Sequence, residues 1–232
     1  MEPMHENLVR IKAVSNVLDG LGQEFVFVGG ATVSLYASDP DLAAEVRPTD
    51  DVDVVVELAS YGGYAAIDEK LRGLGFVNDV ASGVICRYRM QGIIVDVMPT
   101  DSKVIGFSNM WYPPGFANAV EVALDKGTLV RIFSLPYFVA SKLEAFKGRG
   151  KNDYRTSQDF EDLVYIWENA EDFEQQVIDA PQDVKDYLKK ELSAIMYTDD
   201  FEEGLYAHLS GGYRGKDAKY IMIKLQCALE VY

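Results

Sequence analysis

The 232-residue sequence predicts an α+β fold, in which a mixed β-sheet with packed helices is followed by a C-terminal helical bundle. Short β-branched runs alternate with helical patterns as far as residue 134, and only helical patterns follow from residue 135. Hydrophobic residues make up 48% of the chain, which is ample for buried cores. We therefore expect an α/β domain at 1–134 and a helical domain at 135–232.

Two elements and a glycine turn open the chain. Apolar residues at helical spacing predict a helix at 5–18, and an apolar run of β type predicts a strand at 25–28. The strand stops at Gly29 and Gly30, and a helix is expected over 31–37. Backbone N–H groups at a helix N-terminus carry partial positive charge, and glycine lets a phosphate approach closely. The turn is therefore a candidate phosphate site.

Two carboxylates open the next strand. A polar, proline-bearing loop at 38–48 precedes the β-branched run at 51–56, which begins with Asp51 and Asp53. Side chains two apart on a strand share a face, so these carboxylates lie side by side. Like charges so close are unfavourable without a cation, and a divalent metal is the simplest partner. Asp50 alternates to the opposite face and is expected outside the site.

A third carboxylate lies in a predicted hairpin. Residues 84–89 and 93–98 form two β runs around Met90, Gln91 and Gly92, which predicts a hairpin with its turn at these three residues. Asp96 stands among apolar residues in the second run. Because an unpaired carboxylate is expensive to bury, Asp96 needs a metal, a hydrogen-bond network or a cleft.

The remaining elements follow from the same periodicities. Before residue 134 they are a helix at 61–74, strands at 76–80 and 128–133, and an irregular segment at 101–119. After it they are helices at about 136–147, 157–169, 182–197, 199–209 and 216–230.

The order of these motifs resembles a known family. A Gly-Gly turn, an Asp-x-Asp pair on the next strand and another Asp on a later strand are similar to the polymerase-β-type nucleotidyltransferase superfamily. The segments 140–150, ASKLEAFKGRG, and 157–163, SQDFEDL, resemble its AbiEii-like branch of abortive-infection and type IV toxin enzymes. The resemblance covers roughly residues 25 to 165 and implies the nucleotidyltransferase fold.

The resemblance implies an enzyme that moves a nucleoside monophosphate from a nucleoside triphosphate to an acceptor and releases pyrophosphate. Asp51, Asp53 and Asp96 would be its catalytic carboxylates and would hold Mg²⁺ or Mn²⁺. Asp96 is also a candidate general base. Neutralising charge and aligning the reacting groups would be the main tasks of the protein.

The resemblance also implies nucleotide-binding residues. They are Gly29 and Gly30 on the β and γ phosphates, Thr32 or Ser34 as hydroxyl donors, Arg47, Lys142 and Asp159. Lys142 is assigned to the triphosphate as a catalytic residue, and Asp159 to holding that lysine or the nucleotide. Arg47 is expected to clamp a phosphate or pair with a carboxylate. The alternative for Arg47 and Lys142 is a side chain exposed on the surface, without a role in nucleotide binding.

Charge and composition bear on partners. The net charge of −15 disfavours non-specific binding to nucleic acid, so an RNA acceptor needs a local basic patch. Two clusters are candidates: Lys147, Arg149, Lys151 and Arg155, and then Arg214, Lys216, Lys219 and Lys224. Cys86 and Cys227 are expected to be ordinary buried thiols.

The leading hypothesis is a toxin-like nucleotidyltransferase whose acceptor is RNA, such as a tRNA 3′ end, or a protein hydroxyl. An antitoxin would then be a partner. The alternatives are transfer to a small cationic molecule such as an aminoglycoside, and a non-catalytic nucleotide-binding module. Because the chain shows neither a long apolar stretch nor a signal-peptide pattern, we expect no membrane association and a cytoplasmic location.

Overall fold

The chain forms two compact units. The computed structural model describes residues 5–40, 45–58, 60–209 and 217–230, leaving out the side chain of Tyr61. The first unit comprises Met1–Thr32 and Arg47–Ser134, and the second comprises Val33–Val46 and Leu135–Tyr232. The segment Val33–Val46 is thus grouped with the helical unit. The predicted division between residues 134 and 135 assigns this segment to the α/β domain instead. That division into domains stays a prediction.

The first unit holds the strands. Strands β1 to β7 span Phe25–Val28, Asp51–Val56, Val77–Asn78, Arg87–Met90, Ile93–Pro99, Ala119–Asp125 and Thr128–Phe133. Helices α1 to α4 span Glu6–Leu18, Tyr61–Gly73, Ser102–Ile105 and Tyr112–Ala117. Short 3₁₀ helices lie at Asp19–Leu21 and Val80–Ser82, and a longer one, Gly30–Tyr36, follows β1.

The strands of the described residues form one mixed sheet in the order β3-β4-β5-β2-β1-β7-β6. Strand β2 pairs with β5 in parallel and with β1 in antiparallel orientation. Strands β2 and β5 contribute fully buried valines on both sides of their carboxylates, as expected for central strands. The predicted α+β class, a mixed sheet followed by helices, is confirmed.

The turn between β4 and β5 sets the register of the hairpin. Gln91 and Gly92 both have positive φ, 50° and 87°, which is the backbone of a two-residue hairpin turn. The strands leave this turn with Met90 opposite Ile93, and the pairing continues to Arg87 opposite Asp96. A two-residue turn therefore places these last two side chains on the same face.

Helix α1 holds the segment that leads into β2. Asn7 is fully buried; its amide donates to the Arg47 carbonyl at 3.1 Å, and its oxygen accepts from the Thr49 N–H at 2.9 Å. Thr49 in turn donates its hydroxyl to the Asp51 carbonyl at 2.9 Å, and Arg10 donates to the Thr49 carbonyl. These buried bonds leave the approach to Asp51 little freedom.

The second unit is built from helices. Helices α5 to α10 span Leu135–Gly148, Gln158–Asn169, Phe173–Ile178, Gln182–Ile195, Asp199–His208 and Ala218–Leu229. Helix α5 packs against α6, α7 and α8. Around Phe160 the core is aromatic, with Phe146, Trp167 and Phe201 at ring distances of 5.2 to 5.9 Å. None of the described helices is long and apolar enough to cross a membrane.

Several predicted elements differ from those observed. Residues 30–36 form a 3₁₀ rather than an α-helix, because the Thr32 N–H and hydroxyl both donate to the Gly29 carbonyl three residues earlier. The segment predicted to be irregular contains α3 and α4; the prolines of α4 lie in its first turn, where no N–H donor is required. Strand β6 and helix α7 were not predicted.

The two cysteines also differ from each other. Cys86 is buried, and burial raises the pKa of its thiol to about 12, so it is unreactive at neutral pH. Cys227 is exposed, which makes the expectation of a buried thiol wrong there. Cys227 lies outside the stripe of buried residues on helix α10.

Candidate active site

The structure brings three predicted carboxylates together on the first unit's sheet. Asp53 on β2 is the direct partner of Asp96 on the parallel strand β5, and Asp51 lies two residues earlier on the same face. We call Asp51, Asp53 and Asp96 the acidic set. Asp96 is buried, Asp51 and Asp53 are half-buried, and Asp50 is exposed, as alternation predicts.

The glycine turn lies directly against the acidic set. Val28, the last residue of β1, pairs with Asp53, so Gly29 follows at the level of that carboxylate. Gly29 has φ of +74°, and a Cβ placed on it would lie 1.9 Å from Asp53 Oδ2. A side chain at residue 29 and the present position of Asp53 therefore exclude each other. Gly30 is buried and begins the 3₁₀ helix.

Neither hydroxyl predicted as a phosphate donor faces solvent. Thr32 is fully buried and donates to the Gly29 carbonyl at 2.9 Å, so its hydroxyl fixes the turn instead. The prediction of Thr32 as a direct phosphate donor therefore disagrees with the structure. The Ser34 hydroxyl oxygen is buried, with no hydrogen-bond partner among the described residues.

Arg87 on β4 binds two members of the acidic set, a contact that sequence reasoning missed. Its Nε donates to Asp96 Oδ1 at 2.8 Å, and its Nη2 donates to Asp96 Oδ2 at 2.7 Å and to Asp51 Oδ2 at 3.0 Å. Its hydrogen bonds to Asp96 raise the pKa of Arg87 above its usual value, and the Asp51 charge adds to this. The signal was the hairpin register, which pairs Arg87 with Asp96.

The acidic set has suitable chemistry for a divalent cation. Carboxylate oxygens are the ligands that Mg²⁺ and Mn²⁺ prefer, and these carboxylates come from adjacent strands on one face. In the part of the chain that the structure describes, no group of three His, Cys, Asp or Glu side chains is arranged to hold a metal. The oxygens of Asp51 and Asp96 converge on Arg87 instead.

Lys142 and Asp159, the remaining predicted pair, meet in the second unit. Lys142 on α5 is 4% exposed, and its Nζ lies 3.1 Å from Asp159 Oδ1 and 2.6 Å from Asp162 Oδ2 on α6. Arg149 adds two hydrogen bonds of 2.8 Å to Asp159. The alternative of Lys142 on an exposed helix face is therefore wrong. Its contact with a triphosphate stays a prediction.

The neighbouring charges in this buried cluster favour the charged forms of Lys142 and Asp159. Burial alone would lower the pKa of Lys142, but the Asp162 and Asp159 carboxylates raise it above its ordinary value. Burial likewise opposes ionisation of Asp159, yet the hydrogen bonds from Arg149 and the Lys142 charge lower its pKa. The lysine therefore remains an ammonium at neutral pH.

Arg47 lies on the segment before β2 and is half-buried. Its carbonyl accepts the Asn7 amide, which fixes its backbone beside the start of β2. Contact of its side chain with a phosphate or a carboxylate ligand stays a prediction.

A family model for the nucleotidyl transferase AbiEii toxin of the type IV toxin-antitoxin system matches residues 13–195, most of the chain. The chain belongs to the AbiEii nucleotidyl transferase family. This match confirms the resemblance. The protein is therefore a nucleotidyltransferase of a toxin family.

A solved structure shares the fold of this AbiEii-family protein. The antigenic nucleotidyltransferase-like protein from Paracoccidioides brasiliensis is 17% identical, with a TM-score of 0.51. The similarity covers 89% of this chain and 95% of that one. Comparison with curated proteins finds no match.

The first basic cluster of the protein is largely neutralised. Lys147 pairs with Glu144 and Glu191 at 3.0 and 2.9 Å, and Arg155 pairs with Glu203 at 2.6 Å. With Arg149 bound to Asp159, three of the first four cations have a carboxylate partner. In the second cluster Lys224 is buried, Lys219 is exposed, and Arg214 and Lys216 lie outside the described residues.

Proposed function

We propose that this nucleotidyltransferase transfers a nucleoside monophosphate from a nucleoside triphosphate to a macromolecular hydroxyl, and that it depends on Mg²⁺ or Mn²⁺. The observation that carries the proposal is the pairing of Asp53 with Asp96 on adjacent strands, with Gly29 packed against Asp53. Three carboxylates and a side-chain-free backbone turn then lie at one place on the sheet. That combination suits a triphosphate with its cation.

The proposed roles follow from position. Asp51, Asp53 and Asp96 would hold the divalent ion, which when bound neutralises phosphate charge and acidifies the attacking hydroxyl. The backbone of Gly29 and Gly30 would orient the leaving phosphates. The acceptor hydroxyl would give its proton to Asp96, and its oxygen would bond to the α-phosphorus as the bond from that phosphorus to the oxygen bridging the α and β phosphates breaks, so that pyrophosphate leaves.

The acceptor is proposed to be an RNA end or a protein hydroxyl. RNA recognition draws much of its affinity from cations facing phosphates. Because Lys147, Arg149 and Arg155 are already paired with carboxylates, this cluster supplies few unpaired cations for such contacts. This favours the protein acceptor of the two. The type IV toxin-antitoxin family also leads us to propose an antitoxin as a partner in the cell.

A transfer assay tests the proposal. Each α-labelled nucleoside triphosphate is offered with Mg²⁺ to total RNA, to a cell lysate treated with ribonuclease, to an aminoglycoside or to no acceptor. We expect label in the protein or RNA fraction with the wild-type chain, and none with the Asp51→Asn/Asp53→Asn variant. The Asp50→Asn variant is the matched control, since Asp50 lies on the opposite face of the strand.

The outcomes separate the alternatives. Label on the aminoglycoside alone would replace the macromolecular acceptor by a small cationic one, in keeping with the net charge of −15. Equal label with wild type and the double variant would contradict the proposed role of the carboxylates.

A further inference from the structure

The Arg87 guanidinium neutralises two carboxylates of the acidic set, those of Asp51 and Asp96. Its planar guanidinium makes a two-pronged contact with Asp96 and reaches Asp51 with the same Nη2 nitrogen. Such forked, charge-assisted bonds are among the stronger polar contacts in proteins. The Arg87 side chain is 24% exposed, so it lies at the surface of the site and is not locked in a core.

The backbone places Arg87 beside the acidic set. Arg87 is the direct partner of Asp96 in the hairpin, and a two-residue turn sets that pairing. One residue more or less in the turn would carry Arg87 to the other face of the sheet. The face of the sheet on which Arg87 lies is therefore a property of the fold, while its contact with the two carboxylates can be broken by a change of side-chain rotamer.

A guanidinium and a dication compete for the same oxygens. Both Asp96 oxygens and Asp51 Oδ2 already accept hydrogen bonds from Arg87. A dication on those oxygens would lie within several ångströms of a fixed positive charge, and two cations so close repel each other strongly in a half-buried site. Arg87 must therefore leave at least one of the two carboxylates before a metal uses both.

We infer that Arg87 is a resident counter-cation, which keeps Asp51 and Asp96 assembled and yields their oxygens when a divalent ion binds. The inference rests on the proposed function, because it takes the acidic set as the metal site. Arg87 is then a positioning residue that lowers the affinity of the acidic set for a divalent ion when no nucleotide is bound. In exchange, the charges of Asp51 and Asp96 are paired with Arg87 whenever no ion is bound.

Mn²⁺ binding to the full chain, without nucleotide, tests this by calorimetry or by the paramagnetic signal of the free ion. We expect Arg87→Gln to bind Mn²⁺ about tenfold or more tightly than wild type, because a competing positive charge is gone. Arg89→Gln is the matched control; Arg89 lies on the same strand and pairs with Asp79 at 2.9 Å. It should bind Mn²⁺ as wild type does.

A second readout guards against a purely structural effect. Mn²⁺ should raise the melting temperature of Arg87→Gln more than that of wild type, because tighter binding stabilises the native state more. If Arg87→Gln does not fold, Arg87→Lys replaces it. A lysine keeps the charge but cannot span both carboxylates, and its Mn²⁺ affinity should fall between those of wild type and the glutamine variant.

The contrary results are distinct. Equal or weaker Mn²⁺ binding by folded Arg87→Gln or Arg87→Lys would overturn the counter-cation role and leave the proposed function standing. Absence of Mn²⁺ binding by wild type, Arg87→Gln and Arg89→Gln alike would overturn both, since the acidic set would then not be a metal site.

Discussion

Replacing Gly29 by alanine should lower the rate of nucleotide transfer by roughly 100-fold and lower the stability by about 1–2 kcal/mol. The new Cβ would lie 1.9 Å from Asp53 Oδ2 and 2.8 Å from Asp53 Cγ, so the carboxylate has to rotate away. Displacing a reacting or ligating group by about 1 Å can cost roughly 100-fold in rate. The φ of +74° adds a backbone cost of about 1–2 kcal/mol for any residue with a side chain.

Gly83→Ala separates the two effects. Gly83 has φ of +72°, but a Cβ there meets nothing within 4 Å, so the variant carries only the backbone cost. Thermal unfolding should therefore show similar stability losses for the two variants, whereas a transfer assay should show full activity for Gly83→Ala alone. Activity retained by Gly29→Ala would mean that the close contact between the turn and Asp53 is not needed.

Replacing Lys142 by methionine should destabilise the second unit by about 3–5 kcal/mol, the usual effect of removing one partner from a buried ion pair. Asp162 is 2% exposed and would lose its ion pair with Lys142, while Asp159 would keep Arg149. Methionine preserves much of the side-chain volume, so the loss reports charge rather than packing. Urea unfolding monitored by tryptophan fluorescence measures it, because Trp167 lies on α6 in the same unit.

Lys147→Met is the matched control on the same helix. Lys147 also contacts two carboxylates, but its side chain is 39% exposed, and such pairs contribute under about 1 kcal/mol. Adding Asp162→Asn to Lys142→Met should recover part of the lost stability, because it removes the buried negative charge that Lys142 had neutralised. Equal losses for Lys142→Met and Lys147→Met would contradict the account of a buried charged cluster.

Much of the site could be predicted because its signals are local. Asp51 and Asp53 share a face through strand alternation alone, and Gly29 ends an apolar run that could only be a short strand. Asp96 was conspicuous as an acid within an apolar run. Each of these inferences needs only a few neighbouring residues.

The residues that sequence reasoning missed act through partners distant in the chain. Asn7 bonds to Thr49, which is 42 residues away, and a lone asparagine on a helix gives no sign of that. The pairing of Lys142 with Asp159 came from the family resemblance alone, because Asp159 lies 17 residues further along the chain on another helix. Arg87 was missed because the turn was predicted at residues 90–92, whereas the observed two-residue turn at Gln91 and Gly92 pairs Arg87 with Asp96.

The most direct test of the metal and nucleotide site compares wild type with Asp53→Asn and Asp50→Asn. Calorimetry with non-hydrolysable analogues of the four nucleoside triphosphates, in Mg²⁺ and in a chelator, measures their binding. We expect wild type and Asp50→Asn to bind one or more analogues only with Mg²⁺. Asp53→Asn should bind roughly 100-fold more weakly, a loss of about 2.7 kcal/mol. Equal Mg²⁺-dependent affinity of Asp53→Asn and wild type would contradict the assignment of the acidic set.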